Sequence, residues 1–471
     1  MKKYDIAVIG AGSGGLVAAL TGNRRGARVA LIEKHKIGGE CTHYGCVPSK
    51  SLISSARLYH AMQNAESKGL PALHASQAAD FAQVMEHVDQ VVQGVYANEQ
   101  PEHFENQGID VYLHPSGAQF INEHEIRIGE TVIHAEYTII ATGSSPRMAP
   151  HPGEESLRVL HNENFWALRK QPRSVVFLGG GVISVELGQA LARFGTEVTI
   201  VDRNERILSA VDTEVGKLAT DTLQQEGIRL LPNSQVTYCQ MAEDGKVKIT
   251  LNQKGQENEL VAEEIFVALG RTPNITGMQL EQAGVAYTDR GIQTNEYLQT
   301  SVPNIYACGD VTSPAKFTHM ASYQAEICVS NILEGNHATN DLSVVPWAIF
   351  MEPEIGHVGL SEAEARDMVG EVNVFKVNTG SVDRFITERD THGFLKVIMD
   401  PNNRILGADA IGAHAGEWIQ FFTLAIRQKL TIDSMAEMIF IYPTFSEIVK
   451  KALSRYLRTQ TGTKQAVFSR N

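Results

Sequence analysis

Two cysteines, Cys41 and Cys46, lie five positions apart in residues 38–50, GGECTHYGCVPSK. A close cysteine pair is typical of a redox-active dithiol or of half a metal site. A tetrahedral zinc site needs further ligands of this kind, and Cys239, Cys308 and Cys328 are scattered along the chain. We therefore expect two-electron thiol–disulfide chemistry at the pair, three small cysteines elsewhere that are buried or half-buried, and no metal site.

A lysine lies close enough to the pair to tune it. Lys50 follows Cys46 by four residues, about one helical turn, and the sequence predicts a helix from Lys50 to about Tyr59. A cation at that place lowers the pKa of a thiol and favours the thiolate.

A nucleotide-binding unit precedes the cysteines. Residues 4–9 predict a buried parallel strand, and a glycine turn, a helix and a second strand follow. In the turn, Gly10 permits a tight bend, Gly12 lets the backbone approach a pyrophosphate, and Gly15 lets the helix pack against the strand. Glu33 ends the second strand and would accept hydrogen bonds from a ribose. The sequence thus predicts a dinucleotide beside the dithiol.

The same unit recurs in the middle of the chain. Residues 174–178 predict a strand, Gly179 and Gly181 follow, and Ser184 takes the place of the third glycine. A repeated unit of this kind indicates a second dinucleotide.

The charges after the second unit bear on which nicotinamide cofactor binds. Asp202 ends the strand over residues 197–201, and a carboxylate there suits the 2′-hydroxyl of NADH and repels a 2′-phosphate. Arg203 and Arg206 could instead bind that phosphate. We expect NADH, with NADPH as the alternative.

The motif G-G-x-C-x4-C-V-P-S-K, placed after an N-terminal G-x-G-x-x-G, resembles the class I pyridine nucleotide-disulfide oxidoreductases. The resemblance covers nearly the whole chain and implies FAD at the first nucleotide unit, NAD(H) or NADP(H) at the second, and a homodimer. It gives Cys41 the role of interchange thiol and Cys46 that of a thiolate against the flavin. It also implies that Glu186 pairs with Lys50 beside the ring. One departure is His43, where relatives often have an asparagine.

The resemblance extends to further cofactor-binding positions. Asp310, in a Gly-Asp signature, is implied to bind the flavin ribityl chain, and the helix begun by residues 318–321 should lie near the flavin ring. The remaining positions implied in cofactor binding are Gly39 in the cysteine motif, Thr142 and Gly143 at a hinge, Gly270 in the turn that closes the second nucleotide domain, and Met320 and Ala321 in that helix.

We predict an α/β protein with two Rossmann-like dinucleotide-binding domains and a C-terminal α+β dimerisation domain. The predicted boundaries place the FAD domain at residues 1–147 and 276–341, the NAD(P) domain at 148–275 and the interface domain at 342–471. In the last domain, Ser361 should cap a helix, and two antiparallel strands are expected on either side of residues 401–403.

The departure with most bearing on chemistry is Tyr442. In relatives the motif His-Pro-Thr-x-x-Glu supplies an acid–base histidine, oriented by the glutamate, across the dimer interface; here Tyr442 and Glu447 occupy those two places. An ordinary tyrosine pKa lies near 10, so Tyr442 could hold or protonate a leaving thiol but is a poor base at neutral pH. Alternatively, Tyr442 only packs at the dimer interface. His43 and His319 are then the candidates for the catalytic base.

Composition narrows the choice of partners. The net charge of -13 argues against nucleic acid and anionic membranes, and no apolar run approaches the roughly 20 residues of a membrane span. We expect a cytoplasmic homodimer that acts on a small-molecule disulfide, dithiol or other electron acceptor.

The predicted activity is FAD-dependent exchange of electrons between NAD(P)H and the Cys41–Cys46 disulfide, with dihydrolipoamide and NAD+ as the conventional substrates. The main alternative is a mercuric-reductase-like enzyme with another acceptor, although the residues after Glu447 lack the cysteine pair usual at the end of mercuric reductases. A redox sensor that binds flavin without turnover is the non-enzymatic alternative. The intact cysteine motif counts against a transhydrogenase.

Overall fold

A computed structural model describes residues 1–71, 78–148, 157, 159–312 and 315–468. The chain forms two compact units. The first comprises Met1–Pro172, Tyr238–Val247 and Glu263–Asp341, and the second comprises Arg173–Thr237, Lys248–Ala262 and the chain from Leu342 onward. Both units combine α-helices with β-sheets, and the predicted α/β class is confirmed. The boundaries proposed from the sequence remain a prediction.

In residues 1–172 the strands are β1 (Lys2–Ile9), β2 (Val29–Glu33), β3 (Asp110–Leu113), β4 (Gln119–Phe120), β5 (Glu125–Ile128), β6 (Thr131–Ile140) and β7 (Ser144–Pro146). The α-helices are α1 (Ser13–Arg24), α2 (Gly39–His43), α3 (Cys46–Gln63), α4 (Phe81–Tyr96) and α5 (Pro101–Glu105), and short 3-10 helices cover Ala65–Lys68 and Phe165–Ala167.

Residues 173–262 contain β8 (Ser174–Leu178), α6 (Val182–Arg193), β9 (Glu197–Val201), α7 (Thr213–Gln225), β10 (Arg229–Leu231), β11 (Ser234–Met241), β12 (Val247–Gln253) and β13 (Gln256–Ala262). Residues 263–341 contain β14 (Glu264–Val267), β15 (Arg271–Pro273), β16 (Tyr287–Thr288), β17 (Gly291–Ile292), β18 (Ile305–Ala307) and α8 (Thr318–Glu334), with 3-10 helices at Leu280–Ala283 and Gly309–Val311.

From residue 342 onward the elements are β19 (Trp347–Ile349), β20 (Ile355–Gly359), α9 (Glu362–Val369), β21 (Asn373–Asn378), α10 (Asp383–Thr387), β22 (Phe394–Met399), β23 (Ile405–Ile411), α11 (Ala415–Trp418), α12 (Gln420–Arg427), α13 (Ile432–Ala436) and α14 (Glu447–Phe468), with a 3-10 helix at Thr379–Ser381.

The first unit is built on a sheet in which β1 pairs in parallel with β2 and β6, while β18 joins β6. From Ile6 to Ile9, strand β1 is buried on both faces, so this half of the strand is continuously apolar. Ile6 and Val8 belong to one core, to which α1 and α8 contribute, and Ala7 and Ile9 belong to the core on the opposite face. The carboxyl ends of β1 and β2 therefore meet at one edge, where the predicted glycine turn and Glu33 lie.

Strands of three sheets lie in the second unit. In one of them, β8, β9 and β10 run parallel, and strands β12 and β13 belong to a separate sheet with β11. In the third, the antiparallel order is β19-β20-β23-β22-β21, and a core that includes Val397, Trp418, Phe422 and Leu453 lies against it. The predicted antiparallel pair is confirmed as β22 and β23, and Ser361 caps α9 in a capping box. Among the helices that the structure describes, none has the length and apolarity to cross a bilayer.

Candidate active site

The glycine turn after β1 has the geometry that a dinucleotide requires. Gly10 adopts a φ of +100°, and a Cβ there would lie 2.5 Å from the Ala141 carbonyl oxygen. A Cβ on Gly15 would lie 1.8 Å from the Gly10 oxygen, so α1 can approach β1 only because this position is glycine. Gly12 is the N-cap of α1 and has no side chain to cap the helix. The first backbone amides of α1 can therefore point at a phosphate. The turn therefore fits a bound pyrophosphate.

Glu33 braces this turn from the end of β2. Its Oε2 accepts a hydrogen bond from the Ala11 amide at 2.8 Å, and its Oε1 accepts bonds from the Lys34 and His35 amides. The carboxylate is thus held at the edge of the sheet, beside the turn, where a ribose hydroxyl is expected.

The cysteine segment is fastened to the glycine turn by backbone contact. Gly39 has a φ of +61°, and a Cβ on it would lie 2.6 Å from the Gly12 Cα. Gly38, with a φ of +98°, donates its amide to the Ala11 carbonyl at 2.8 Å. A side chain at Gly39 would separate these two loops, so this glycine lets the cysteine segment lie close to the dinucleotide turn.

Helix α3 begins earlier than the sequence predicts. We expected it to start at Lys50, whereas its first residue is Cys46. Pro48 is compatible with this start because the first amides of a helix have no intrahelical acceptor. Cys46 therefore occupies a helix N-terminus, where the helix dipole stabilises a thiolate.

The two sulfurs are in hydrogen-bonding contact as free thiols. The hydrogen bond to Cys46, followed by burial and by the charge on Cys46, raises the pKa of the Cys41 thiol well above its usual value. Cys41 consequently retains its proton and donates it to the Cys46 sulfur. Thr318 also contacts both sulfurs, and its hydroxyl lies 3.4 Å from the Cys46 Sγ.

Lys50 and Glu186 lie in different units, and their predicted pairing stays a prediction. Lys50 lies on α3 as expected, one turn after Cys46. Glu186, 5% exposed on α6, accepts a hydrogen bond at 2.8 Å from the Phe350 amide. Its carboxylate therefore has a backbone partner within its own unit.

A polar network that the sequence analysis missed lies beside the cysteine segment. Arg271 makes two contacts with the Glu40 carboxylate, and its Nε donates to the Ser144 hydroxyl at 2.7 Å. Ser144 in turn donates to the Asp310 carboxylate at 2.6 Å. Burial raises the pKa of the Glu40 carboxyl, and the Arg271 charge opposes that rise. The network links the residue before Cys41 to the predicted flavin-binding Asp310.

The remaining predicted residues of the first unit lie in the turns around this network. Thr142 exchanges hydrogen bonds with Asn274, from its hydroxyl to the Asn274 carbonyl at 2.7 Å and from the Asn274 amide to the Thr142 carbonyl at 2.9 Å. Gly143 and Gly270 have positive φ values of +68° and +103°. Met320 and Ala321 lie in the first turn of α8, as predicted. Met320 is buried, and Ala321 packs against Gly14 and Gly309.

The second glycine turn repeats the first in its own unit. Gly179 has a φ of +99°, and Gly181 precedes α6 with no side-chain cap and with open space around its Cβ position. Asp202 accepts a hydrogen bond from the Gly180 amide at 2.5 Å, as Glu33 does from Ala11. Ser184 is fully buried, and its hydroxyl has no partner among the described residues. This turn also fits a dinucleotide.

The two arginines after Asp202 differ in their surroundings. Arg203 is exposed. Arg206 donates to three backbone carbonyls, those of Leu208, Ser209 and Val211. Its guanidinium is therefore committed to holding the loop, which leaves Arg203 as the arginine better placed to meet a 2′-phosphate.

Tyr442 lies on the surface of the second unit, 65% exposed. Its hydroxyl donates to the Asp383 carboxylate at 3.0 Å, and this bond and the Asp383 charge raise the tyrosine pKa. Glu447 is the first residue of α14, and its buried Oε2 has no hydrogen-bond partner in the part of the chain that the structure describes. The charge on Glu447 raises the pKa of Tyr442 further.

The two histidines considered as substitute bases have different environments. His43 is buried, its Nε2 lies 2.7 Å from the Ile37 carbonyl, and its ring packs edge-on against Tyr96. Such a ring stabilises the core between α2 and α4. His319 is exposed beside Thr318 and stacks on Phe317, so it lies next to the residue that touches both sulfurs.

The segment around Tyr442 exposes a group of large apolar side chains. Ile439 is 98% exposed and Ile441 is 78% exposed, and Met438 and Leu424 are also on the surface. Monomeric proteins rarely expose contiguous apolar groups of this kind, which mark protein interfaces.

Comparison with known proteins bears on these features. The profile of the family described as "Pyridine nucleotide-disulphide oxidoreductase" matches residues 4–325, and that of its dimerisation domain matches residues 345–453. A mercuric reductase of Staphylococcus aureus is 33% identical over 95% of this chain and 82% of its own length. A dihydrolipoyl dehydrogenase of Bacillus subtilis (strain 168) is 34% identical over 95% of both chains.

A solved structure is similar over almost the whole chain. It is the Cu(II) complex of the HOCl-induced flavoprotein disulfide reductase RclA from Escherichia coli, with a TM-score of 0.86 and 28% identity. The similarity covers 96% of this chain and 99% of that chain.

Proposed function

The chain belongs to the pyridine nucleotide-disulfide oxidoreductase family, and from that premise we propose that it works as an NAD(P)H-dependent reductase whose acceptor reacts at Cys41 and Cys46. Its cofactors are FAD and NAD(P)H. The dimerisation domain supports a homodimer, with the exposed residues around Ile439 in the interface.

When bound, FAD supplies two-electron exchange between the nicotinamide and the sulfur pair. The chain's own contribution to binding is the uncapped N-terminus of α1 with its glycines, and Glu33 for the ribose. The turn before α6 and Asp202 would hold the nicotinamide dinucleotide in the same way. Asp202 favours NADH over NADPH, because its carboxylate would repel a 2′-phosphate.

The contact between the two thiols carries the proposal, because it allows a disulfide acceptor to be reduced in two balanced steps. The proton of Cys41 passes to the Cys46 sulfur, and the Cys41 thiolate attacks R–S–S–R, forming Cys41–S–S–R and releasing RS⁻, which takes up a proton. Cys46 then gives its proton to solvent and attacks the Cys41 sulfur, so that the bond from Cys41 to RS breaks as the Cys41–Cys46 disulfide forms. The second RS⁻ takes up a proton from solvent. The Thr318 hydroxyl lowers the Cys41 pKa and so eases the first step.

The direction of the reaction follows from Tyr442. Reduction of a disulfide needs an acid that protonates the leaving thiolate, whereas oxidation of a dithiol needs a base. The hydrogen bond to Asp383 raises the Tyr442 pKa, so the phenol keeps its proton at neutral pH, has a proton to give, and is hardly available as a base. We therefore place the chain's main activity in the reductive direction, with Tyr442 as the proton donor.

A thiophilic metal ion is a second candidate acceptor. Thiolates are the ligands that soft metal ions prefer, and Cys46 is exposed. One relative is named a mercuric reductase, and the similar solved structure is a Cu(II) complex of a disulfide reductase. Dihydrolipoamide oxidation, in keeping with the Bacillus subtilis relative, is the third candidate and would require another base, for which we suggest His319, the residue after Thr318.

An acceptor panel tests the proposal. Initial rates would be measured with NADH and with NADPH against lipoamide, oxidised glutathione, Hg(II) and Cu(II), and in the opposite direction with dihydrolipoamide and NAD+. We expect steady oxidation of NADH by at least one acceptor and slow reverse turnover at pH 7.5. Faster dihydrolipoamide oxidation than any reductive turnover would overturn the assigned direction, and a single reduction without turnover would indicate a sensor.

A further inference from the structure

Two histidines and a glutamate converge on the hairpin of β5 and β6, in the first unit. His134 and Glu136 lie on β6 two positions apart, so their side chains share one face of the strand. His124 immediately precedes β5, and its carbonyl accepts the Ala135 amide at 2.9 Å. One ligand atom from each of the three side chains lies within 4.8 Å of the other two. The cysteine motif and the nucleotide turns do not include these residues.

Hydrogen bonds indicate which nitrogen of His124 is available to a metal. Its Nδ1 lies 3.0 Å from the Ala135 carbonyl and 3.3 Å from the Asn304 amide nitrogen. The two hydrogens of that amide have acceptors in the Glu123 and Glu136 carbonyls, at 2.9 and 3.4 Å. Nδ1 therefore carries the proton and donates to Ala135, which leaves the Nε2 lone pair for an ion. Metal-binding histidines are typically oriented by such a bond from the other ring nitrogen.

The turn that carries His124 is itself held in place. The Asn122 side-chain oxygen accepts the amides of His124 and Glu125, each at 2.9 Å. The two imidazole rings are stacked with centroids 5.4 Å apart. The two rings are therefore already close enough to bind one ion with little movement of the backbone.

The spacing of His134 and Glu136 suits a small tetrahedral ion. His134 Nε2 lies 3.3 Å from Glu136 Oε1, and two ligands each about 2.0–2.1 Å from a tetrahedral zinc ion are separated by about 3.3 Å. Both histidines are partly buried and Glu136 is exposed, so a fourth position would face water. Two imidazoles and one carboxylate suit zinc, nickel or copper better than magnesium or calcium, which prefer all-oxygen sites.

We propose that His124, His134 and Glu136 bind one divalent transition-metal ion, with zinc as the reference ligand and a water or exogenous ligand in the fourth position. The site is separate from the cysteine pair in sequence and independent of the acceptor that the enzyme reduces. It departs from our expectation, based on cysteines alone, that the chain has no metal site. Because the ion would join the turn before β5 to β6, binding should stabilise the hairpin.

Titration of the full-length holoenzyme with zinc sulfate in a calorimeter tests this site. Since reduced Cys41 and Cys46 would also bind zinc, the titration uses the oxidised enzyme and, in parallel, the Cys41→Ser/Cys46→Ser variant. We expect one equivalent per chain in both. His134→Asn and His124→Asn should each weaken binding at least about 100-fold, since even the loss of an orienting partner costs about 10–100-fold.

Two further variants make the result decisive. Glu136→Gln changes a surface side chain and leaves the fold intact, and it should also weaken binding. His87→Asn, on the exposed face of α4, should bind zinc as the parent does. Zinc should raise the unfolding temperature of the parent and not that of His134→Asn. The proposal is overturned if the oxidised enzyme binds no zinc, if His134→Asn binds as tightly as the parent, or if only the serine variant loses the site.

Discussion

Replacing Tyr442 by histidine should open the oxidative direction. Tyr442 is 65% exposed, so the exchange leaves the packed core of the second unit intact. At its ordinary pKa near 10, about one tyrosine in 300 is ionised at pH 7.5, and the Asp383 bond makes that fraction smaller. A histidine with a pKa near 6.5 is about nine-tenths neutral at that pH. The supply of base therefore increases about 300-fold.

Part of this 300-fold gain in the fraction of available base is offset, because a tyrosinate ion is a stronger base than a neutral imidazole. General-base catalysis contributes about 10²–10⁴-fold when the pKa matches the working pH. We therefore expect Tyr442→His to oxidise dihydrolipoamide with NAD+ at least about tenfold faster than the parent at pH 7.5. Its rate should rise with pH through about 6.5, the range in which an imidazole loses its proton.

Tyr442→Phe is the matched control, since it keeps the ring and removes only the hydroxyl. As a proton donor, the phenol is present at every pH below its raised pKa. The part of the reductive rate that depends on Tyr442 should therefore persist to about pH 9 and decline above 10. Tyr442→Phe should slow lipoamide reduction by NADH about tenfold or more and leave dihydrolipoamide oxidation unchanged. Equal rates for Tyr442→Phe and the parent in both directions would make Tyr442 a packing residue and refute this reasoning.

Three further changes test the surroundings of the sulfurs and the cofactors. Thr318→Val should move the pH profile of disulfide reduction to higher pH and slow the rate at pH 7 about tenfold, because the hydroxyl lowers the Cys41 pKa; Ser322→Ala, one turn along α8, should match the parent in stopped-flow assays. Gly39→Ala should sharply lower the flavin content of purified protein, because its Cβ would clash with the glycine turn, whereas Gly69→Ala, with a similar positive φ and open space, should retain flavin. Asp202→Ser should raise kcat/KM for NADPH relative to NADH at least about tenfold, since it removes a charge that faces the 2′-phosphate; an unchanged ratio would argue against that role.

The local motifs were predictable because each depends on neighbouring residues. Gly10 and Gly15 have no room for a side chain, and the strand, turn and helix around them follow from the apolar pattern. The free, adjacent thiols of Cys41 and Cys46 also follow from one short segment. Helix α3 begins four residues before the predicted start at Lys50, and Pro48 does not prevent this because the first turn of a helix accepts proline.

Contacts between distant parts of the chain could not be predicted in this way. Glu40 and Arg271 are 231 positions apart, and no periodicity relates them. Burial of His43 against Tyr96 and the use of Arg206 to hold backbone carbonyls likewise depend on tertiary packing. His124 and His134 were not predicted as metal ligands, because the expectation of no metal site depended on cysteines alone and ignored imidazole and carboxylate ligands.

Counting reactive thiols before and after reduction by NADH tests the central claim most directly. The oxidised holoenzyme would be denatured with an alkylating reagent present, and its peptides identified by mass spectrometry; a second sample would first be reduced anaerobically with NADH. Of five cysteines, we expect Cys239, Cys308 and Cys328 to be labelled without NADH and all five to be labelled after it. If Cys41 and Cys46 are labelled equally in both samples, or remain blocked after NADH, the pair does not accept electrons from the nicotinamide.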